Sequence, residues 1–427
     1  MGKKSILVIM PMLPYPLISG GHQALYNGMV AVHKEMEVSL SFVVDDEYNY
    51  LDALKDFVRE LPDIKLFPYY QCKRIAEGAK RKRKVRPWYS KLFHAIFHRK
   101  RMKKIEKASF DKIAYWQYCT LPPGVGWIKH NQDIIDSNNF DFVQIEMPWL
   151  MSTVLGLSCK GKLVYVHHEL GFVRRALEMR NTPKDDYYSW AWLRFADMNE
   201  IAILNKYDAI ITLSSIDTKK LKEAGVVKPV YSSIAVVEPY SGKVENSHIT
   251  RRLTFIGPDV HIPNYEGIRW FLENCWSLLK SVDPEYTLDV IGKWSEHNVK
   301  TFESKYPGVK FLGYVDNLSD ALNGSIMIVP INIGSGIRMK ILEASVRGVP
   351  FVSTSVGAEG LPVKDGVHCF IADTPEIFVQ DILRLKDVSL QMQFVANSNQ
   401  MVKEHFSLDA LRANRLKIYS SIYKTSK

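Results

Sequence analysis

The chain has 427 residues, of which 46% are hydrophobic and 24% charged, and its net charge is +10. These fractions are ordinary for a soluble globular protein, and the length exceeds one ordinary core, so two domains are expected. The five cysteines are scattered and odd in number. They argue against a disulfide framework or a zinc site and favour a reducing, cytoplasmic compartment. Since no run reaches about 18 apolar residues, no membrane-spanning helix is expected.

The first half of the chain alternates apolar runs with helical patterns. The N-terminus superficially resembles a signal peptide, but prolines and Gly20-Gly21 interrupt it, so residues 5–11 are predicted to form a first buried strand. A helix over residues 21–35 follows. Further strands are predicted at VSLSFVV, FDFVQIEM, KLVYVHH and YDAIITLS. This alternation predicts parallel strands with crossover helices in a doubly wound α/β domain at residues 1–238.

The pattern restarts after a polar stretch, residues 239–250, which is predicted to be a linker. A helix is predicted over residues 265–280, and strands at RLTFIG, TLDVIG, KFLGYV, IMIVP and PFVST. These elements predict a second α/β domain at residues 251–404. Ligands of such domains bind at the carboxyl ends of the strands, so a cleft between the domains is the expected site.

One segment of the first half is strongly basic. Residues 73–107 hold 15 Lys/Arg and two acids, a net charge of +13 that exceeds the total of the whole chain. Leu92, Phe93, Ile96 and Phe97 fall on one helical face of this segment. A basic amphipathic helix suits an anionic membrane surface. Two alternatives remain open, namely nucleic acid, because cations neutralise phosphates and aromatic rings stack on bases, and a solvated insertion without a partner.

The stretch IMIVPINIGSGIRMKILEASVRGVP has the features of an anion site. An apolar strand leads through Gly334 and Gly336 into a predicted helix. The first N–H groups of a helix have no internal partners and carry partial positive charge, and glycine lets the backbone approach a ligand closely. Arg338 and Lys340 add cations in the first turn, where the helix dipole disfavours them unless an anion is present. The stretch is therefore predicted to bind the diphosphate of a nucleotide-linked donor.

The same stretch, continued to VSTSVGAEGL, resembles the donor-binding region of the group 1 retaining glycosyltransferases, whose signature is E-x7-E. FIGPDVHIPNYEGIRWF and FLGYVDNLSDALNGSIMIVP are similar to the family's second domain, and YVHHELGFVRR and YDAIITLSSIDTKKL to its first. The resemblance implies a GT-B fold of two Rossmann-like domains facing a cleft, with a final helix in residues 405–427 crossing back to the first domain. It also implies transfer from a nucleotide sugar, UDP- or GDP-linked, with no metal and no separate cofactor.

The resemblance implies donor-binding roles in the second domain. Glu343 matches the second glutamate of the signature, whose carboxylate accepts hydrogen bonds from the ribose. A plain helix pair with Arg347 is the alternative. Ser335 stands where the first glutamate belongs, which leaves the transferred sugar open. Arg338 and Lys340 would stabilise the charge that develops on the departing diphosphate.

Most of the other expected donor contacts are made by backbone groups. The family's usual Arg/Lys pair after the first strand of the second domain is absent from GPDVHIPNYEG, and Lys293 is a candidate replacement. For Gly313 and for Gly20-Gly21, a plain turn is the alternative to a binding role. The remaining candidates are Gly334, Ser335, Gly336 and Ile337 in the loop, Gly313, Tyr314 and Val315 beside the nucleobase, and Gly20 and Gly21 across the cleft.

Strand ends of the first domain supply the acceptor side. His167 and His168 end one strand, and neighbouring side chains on a strand point to opposite sides, so the two cannot readily bind one metal. The family commonly has a histidine near the reacting sugar, for which His168 is favoured over His167. Glu146 and Trp149 follow another strand and either line the acceptor side or cap the core.

These observations predict a retaining glycosyltransferase that acts on a glycan or lipid-linked acceptor in envelope polysaccharide biosynthesis, with a peripheral position at the inner membrane surface as a further expectation. Two other classes remain as alternatives. A sugar-nucleotide epimerase of the same fold would need an acid/base carboxylate cluster, which the sequence does not reveal. A nucleic-acid-binding protein would use residues 73–107 but would leave the Gly334–Glu343 stretch without a role.

Overall fold

The computed structural model describes residues 2–17, 19–44, 50–70, 124–179, 183–237 and 250–424. The basic segment 73–107 and nearly all of the predicted linker 239–250 lie outside these residues. Within the described part, the chain forms two parallel sheets, each covered by helices.

The first sheet has seven parallel strands. They are β1 Lys4–Met10, β2 Met36–Val44, β3 Lys65–Tyr70, β4 Phe142–Glu146, β5 Lys162–His167, β6 Ala209–Thr212 and β7 Val230–Ser232. Their order is β3-β2-β1-β4-β5-β6-β7, so the direction of winding changes between β1 and β4. The described helices of this domain are α1 Gly20–Val30, α2 Tyr50–Glu60, α3 Val125–Ser137, a 3-10 helix Pro148–Gly156, α4 Gly171–Glu178, α5 Tyr187–Leu204 and α6 Ser215–Glu223.

The second sheet repeats this plan with six parallel strands. They are β8 Arg252–Ile256, β9 Thr287–Ile291, β10 Val309–Gly313, β11 Ile326–Val329, β12 Phe351–Ser353 and β13 Phe370–Ile371, in the order β10-β9-β8-β11-β12-β13. The helices that follow β8 are α7 Ile262–Asn274, α8 Trp276–Val282, α9 Glu296–Lys305, α10 Leu318–Leu322, α11 Met339–Val346, α12 Ser355–Ala358, α13 Pro375–Arg384, α14 Val388–His405 and α15 Leu408–Lys424.

Burial explains why the central strands are continuous apolar runs. All residues of β4 and β11 are buried, because helices cover both faces of each sheet. In each domain the winding changes direction beside the first strand, and at this position a doubly wound sheet opens a crevice for ligands.

Two predicted helices differ from the observed ones. The predicted helix over residues 21–35 ends at Val30, and residues 31–35 form turns that lead into β2. The predicted helix over residues 265–280 is two helices that meet at Cys275. Cys275 and Trp276 are both buried at this bend, which contains neither glycine nor proline. Packing of these side chains, rather than local propensity, therefore sets the break.

The last helix packs on the first domain. Leu411, Ile418, Tyr419 and Ile422 of α15 belong to the same hydrophobic cluster as the first sheet. The hydroxyl of Tyr419 donates a hydrogen bond of 2.5 Å to Gln144 on β4. In the described part of the chain, no helix is both long and apolar enough to span a membrane.

Candidate active site

The loop between β11 and α11 lies against the first domain. Gly334 and Gly336 have φ angles of 126° and 77°, which L side chains rarely adopt. A Cβ on Gly336 would lie 2.4 Å from the carbonyl oxygen of His168, so the backbones of the two domains meet at this point. Glycine is therefore required at position 336 for two independent reasons.

Hydrogen bonds tie the same loop across the cleft. The hydroxyl of Ser335 accepts from the backbone N–H of Leu170 at 2.6 Å. The N–H of Gly336 donates to a carboxylate oxygen of Asp217 on α6 at 3.1 Å. Burial raises the pKa of Asp217, and a hydrogen bond from Ser214 opposes that shift. A loop amide predicted to face a diphosphate thus donates to a carboxylate of the first domain.

Arg338 is the N-cap residue of α11 and is only 9% exposed. Its Nη1 donates to the backbone carbonyls of Ser335 and Gly336, the latter at 3.1 Å. Nε and Nη2 are buried and find no hydrogen-bond partner among the described residues. Burial lowers the pKa of Arg338, although nearby carboxylates oppose the shift. A buried guanidinium with unsatisfied donors is costly unless it receives an anionic ligand.

Lys340 lies in the first turn of α11 and is partly buried. Its ammonium donates to Oδ1 of Asn264 at 2.7 Å and lies 4.5 Å from the ring centroid of Phe255. Burial, together with the positive charge of Arg338, lowers the pKa of Lys340 to about 7. The ammonium therefore loses its proton far more readily than an ordinary lysine.

Glu343 contacts both domains. One carboxylate oxygen accepts from the side-chain amide of Gln23 on α1 at 2.7 Å, and the other pairs with Arg347. Glu343 is 5% exposed, so its contact with Arg347 is not the exposed helix pair that sequence spacing alone would suggest. The carboxylate lies where α1 of the first domain approaches α11 of the second.

The two strand-end histidines have separate carboxylate partners. His168 Nε2 lies 2.6 Å from Glu146, and the buried His167 Nε2 lies 3.1 Å from Glu200 on α5. This divergence agrees with opposite directions for neighbouring strand residues. Trp149 is exposed on the 3-10 helix that follows β4.

The remaining predicted residues lie on four segments of the chain. Gly20 and Gly21 begin α1, and a Cβ on Gly20 would lie 2.8 Å from Met339 at the start of α11. Gly313 ends β10, where its φ of 69° precedes the exposed Tyr314 and the partly buried Val315. Ile337 is partly buried between the two domain cores. Lys293 is exposed after β9, with no hydrogen bond or ion pair to another described residue.

Comparison with known proteins relates the domain that contains this loop to a family of glycosyltransferases. The family model "Glycosyl transferases group 1" matches residues 250–387, which include β8 to β13 and the whole loop. The second domain is that of a group 1 glycosyltransferase. A relative described as an uncharacterized 44.6 kDa protein in the cps region of Klebsiella pneumoniae is 24% identical over 343 residues, covering 77% of this chain and 84% of that protein.

Solved structures confirm the predicted GT-B fold. A sucrose-phosphate synthase from Thermosynechococcus elongatus is similar with a TM-score of 0.68 at 12% identity, covering 99% of this chain and 100% of its own. A TarM variant from S. aureus in complex with fondaparinux, alpha-GlcNAc-glycerol and UDP is similar with a TM-score of 0.66 at 11% identity, covering 97% and 99%. The two sheets therefore form the paired domains of this fold.

The segment GPDVHIPNYEG, which lacks the Arg/Lys pair usual in group 1 enzymes, lies close to the cations of α11. Asn264 lies in GPDVHIPNYEG, the segment without the expected Arg/Lys pair, and the ammonium of Lys340 reaches it from α11. A Cβ on Gly334 would lie 3.2 Å from the guanidinium of Arg338 and 3.5 Å from Pro263 of the same segment. The cations that start α11 thus lie beside the segment that lacks its own.

Sequence reasoning missed several residues of this glycosyltransferase cleft. Gln23 and Asp217 contact the loop and helix of the second domain from the first, and only the folded arrangement brings them together. Glu169 was also missed. Burial raises the pKa of its carboxyl, but His261 at 3.6 Å, Arg174 and Arg338 together lower that pKa to about 2. The motif YVHHELGFVRR contains Glu169 and was the available signal.

Potential metal ligands are dispersed over both domains. Within the described ranges, no group of three or more Cys, His, Asp or Glu side chains is placed to hold a metal ion.

Proposed function

We propose that this protein is a retaining glycosyltransferase that moves a sugar from a UDP- or GDP-sugar to a glycan or lipid-linked acceptor in envelope polysaccharide biosynthesis. The observation that carries the proposal is Arg338, a buried guanidinium whose Nε and Nη2 lack partners beside Gly334 in the described part of the chain. A diphosphate supplies the anionic oxygens that such a group needs. Lys340, two residues further on, adds a second cation.

Each group in the cleft has a chemical task in this proposal. Arg338 and Lys340 stabilise negative charge on the departing diphosphate, and that charge is greater in the transition state than in the ground state. Glu343 accepts hydrogen bonds from the ribose hydroxyls, which requires it to exchange Gln23 for the ligand. The acceptor hydroxyl attacks from the face that the diphosphate leaves, and a leaving-group oxygen takes its proton. His168 contacts the reacting sugar.

The comparisons support the substrate classes. The Klebsiella relative is described by its cps region, and the similar TarM structure holds UDP and a GlcNAc-glycerol. No metal and no separate cofactor are needed in the proposed mechanism, because the two cations of α11 replace a metal ion as the electrostatic partner of the diphosphate.

A thermal-shift panel of UDP-, GDP-, dTDP- and ADP-sugars tests the donor. A ligand at 100 times its dissociation constant stabilises a protein by about 2.7 kcal/mol, so a matching donor raises the melting temperature measurably. The shift is expected to shrink in Glu343→Gln and to persist in Arg384→Gln, which changes a largely exposed arginine of the same domain. Failure of every donor to shift the wild-type protein would reject the assignment.

Residues 73–107 are proposed to contact an anionic membrane surface. Their net charge of +13 and the apolar helical face that their sequence predicts support this partner. Deleting residues 81–101 should weaken binding to anionic liposomes without changing donor hydrolysis. Unchanged liposome binding would indicate a solvated insertion. Tight, salt-sensitive RNA binding by the wild-type chain without a donor-dependent shift would favour the nucleic-acid alternative.

A further inference from the structure

A chain of short hydrogen bonds runs from the last helix to the cleft. The hydroxyl of Tyr419 donates to Oε1 of Gln144 at 2.5 Å, and Nε2 of the same amide donates to Oε1 of Glu146 at 2.6 Å. The other oxygen of Glu146 lies 2.6 Å from Nε2 of His168. Gln144, Glu146 and Tyr419 are each 4% exposed, so water does not compete for these bonds.

The direction of the donors along this chain follows from the chemistry of its members. Burial raises the pKa of Tyr419 to about 12, so its hydroxyl keeps the proton that it donates. Gln144 then presents its amide oxygen to Tyr419 and its NH₂ group to Glu146. An ionised carboxylate accepts only, so the nitrogen of His168 on its far side must carry a hydrogen. Each bond thus points toward Glu146.

We infer that Tyr419, Gln144 and Glu146 are positioning residues that hold His168 in the Nε2–H tautomer and leave Nδ1 as a hydrogen-bond acceptor. The hydrogen bond made by one ring nitrogen determines which form the other takes. Among the residues that the structure describes, none hydrogen-bonds to Nδ1 of His168. Its partner is therefore assigned to the ligand, and a sugar hydroxyl is the donor that suits a neutral imidazole nitrogen.

The role of this nitrogen rests on the proposed function, whereas the tautomer does not. For a glycosyltransferase, an accepting Nδ1 orients a sugar hydroxyl beside the reacting carbon. Because Tyr419 belongs to the helix that crosses from the second domain, this orientation depends on how α15 packs on β4. The neighbouring His167 has a different kind of partner. The oxygen of Glu200 that lies 3.1 Å from its Nε2 also accepts from the backbone N–H of Gly171 at 3.0 Å.

Nitrogen NMR of the ¹⁵N-histidine-labelled full-length protein tests the tautomer without any substrate. His168 is assigned by its loss in His168→Gln. At pH 8 the wild-type protein is expected to show protonated Nε2 and unprotonated Nδ1, whereas Glu146→Ala gives a mixture of the two forms. Glu146→Gln is also expected to give a mixture, because an amide has one accepting oxygen for the two donors, Gln144 Nε2 and His168 Nε2, that the carboxylate serves with two. A protonated Nδ1 in the wild-type protein, or an unchanged tautomer in Glu146→Ala, would overturn the inference.

Kinetics with the donor identified by the thermal-shift panel give the second readout. Tyr419→Phe is expected to lower kcat about tenfold, the effect of roughly one buried hydrogen bond, with little change in donor KM. Tyr423→Phe, on the same helix but outside the chain of bonds, should retain wild-type kinetics. Equal losses in both variants would make the effect a general one of helix packing and would overturn the positioning role. If Glu146→Ala fails to fold, Glu146→Gln and Tyr419→Phe still decide the question.

If no donor binds, the proposed function fails while the tautomer remains measurable. The two conclusions therefore stand or fall on separate observations.

Discussion

Lys340 shows how one residue can couple donor binding to protons. Its pKa of about 7 results from burial and from the adjacent positive charge of Arg338. In an unfolded chain the same group titrates near 10.5, so the unfolded state binds more protons between about pH 7 and 10.5. The loss of folding stability caused by burying the charged form of Lys340 is complete below about pH 7 and disappears as the pH rises to about 10.5. A bound diphosphate reverses this penalty by pairing with the ammonium.

Donor binding at pH 8 is therefore expected to take up a proton at Lys340, and donor affinity should fall as the pH rises above 7, by up to about tenfold per unit. Calorimetry in two buffers with different ionisation enthalpies measures the uptake. Lys340→Arg should abolish it, because arginine is charged in both states, while Lys293→Arg should not. The same uptake in Lys340→Arg would assign the proton to another group.

Glu343 is the residue whose loss should affect binding more than turnover. Glu343→Gln replaces an acceptor of two ribose hydroxyls with a weaker, partly donating group, so donor affinity should fall by about 1.5–3 kcal/mol. Arg338→Ala and Lys340→Ala should instead lower kcat, because their charge matters most in the transition state. Isothermal titration and steady-state kinetics separate the two effects. Unchanged turnover in both cation variants would rule out the leaving-group role.

At the scale of elements, the loop before α11 has a backbone conformation that only glycine can adopt without strain or a clash. Gly336 combines a φ of 77° with a Cβ position 2.4 Å from the carbonyl oxygen of His168. Gly324, at the turn before β11, has a φ of 65° but no described atom within 4 Å of its Cβ position. Substitutions at the two glycines can therefore be compared to separate the effect of backbone strain from the effect of contact between the domains.

Both Gly336→Ala and Gly324→Ala should lose about 1–2 kcal/mol of stability from the left-handed backbone. Only Gly336→Ala should also weaken donor binding, because its methyl group displaces the loop from the first domain. Thermal melts and donor titrations on both variants measure the difference. Equal donor affinity in the two variants would show that the close approach to His168 does not shape the binding site.

At the scale of the whole molecule, contacts between the domains occupy groups that the donor is proposed to use. Gln23 holds Glu343, Asp217 accepts from Gly336, and Lys220 pairs with Glu359 at 2.7 Å. The cleft is thus closed by its own polar side chains. Donor binding must exchange these contacts, and the carboxylate of Asp217 opposes an incoming diphosphate by its charge.

Asp217→Asn should therefore strengthen donor binding, by about three- to tenfold, since it keeps an oxygen for the Gly336 N–H and removes the charge. Asp208→Asn is the matched control, because Asp208 accepts a backbone N–H of β5 from Leu163 at 2.8 Å, at the amino end of that strand. Donor titration of both variants measures the effect. Weaker donor binding in Asp217→Asn would mean that this carboxylate assists the donor instead of opposing it.

Local patterns in the sequence account for much of the architecture. Apolar runs such as those of β1, β4 and β11 predicted buried strands, because a parallel sheet covered on both faces needs them. Gly334, Gly336 and the cations of α11 predicted the diphosphate loop for reasons internal to one short segment. The break at Cys275, the end of α1 at Val30 and the edge strands β3, β7 and β13 were not predicted, because packing of distant residues sets them.

The sequence by itself therefore determined two α/β domains and the candidate loop, whose signals lie within a few neighbouring residues. Only the tertiary structure decided the partners. It placed Lys340 beside Asn264, Gln23 against Glu343 across 320 positions of sequence, and Tyr419 behind Glu146 through Gln144. Such contacts depend on how two domains and a crossing helix pack, and no local periodicity encodes that packing.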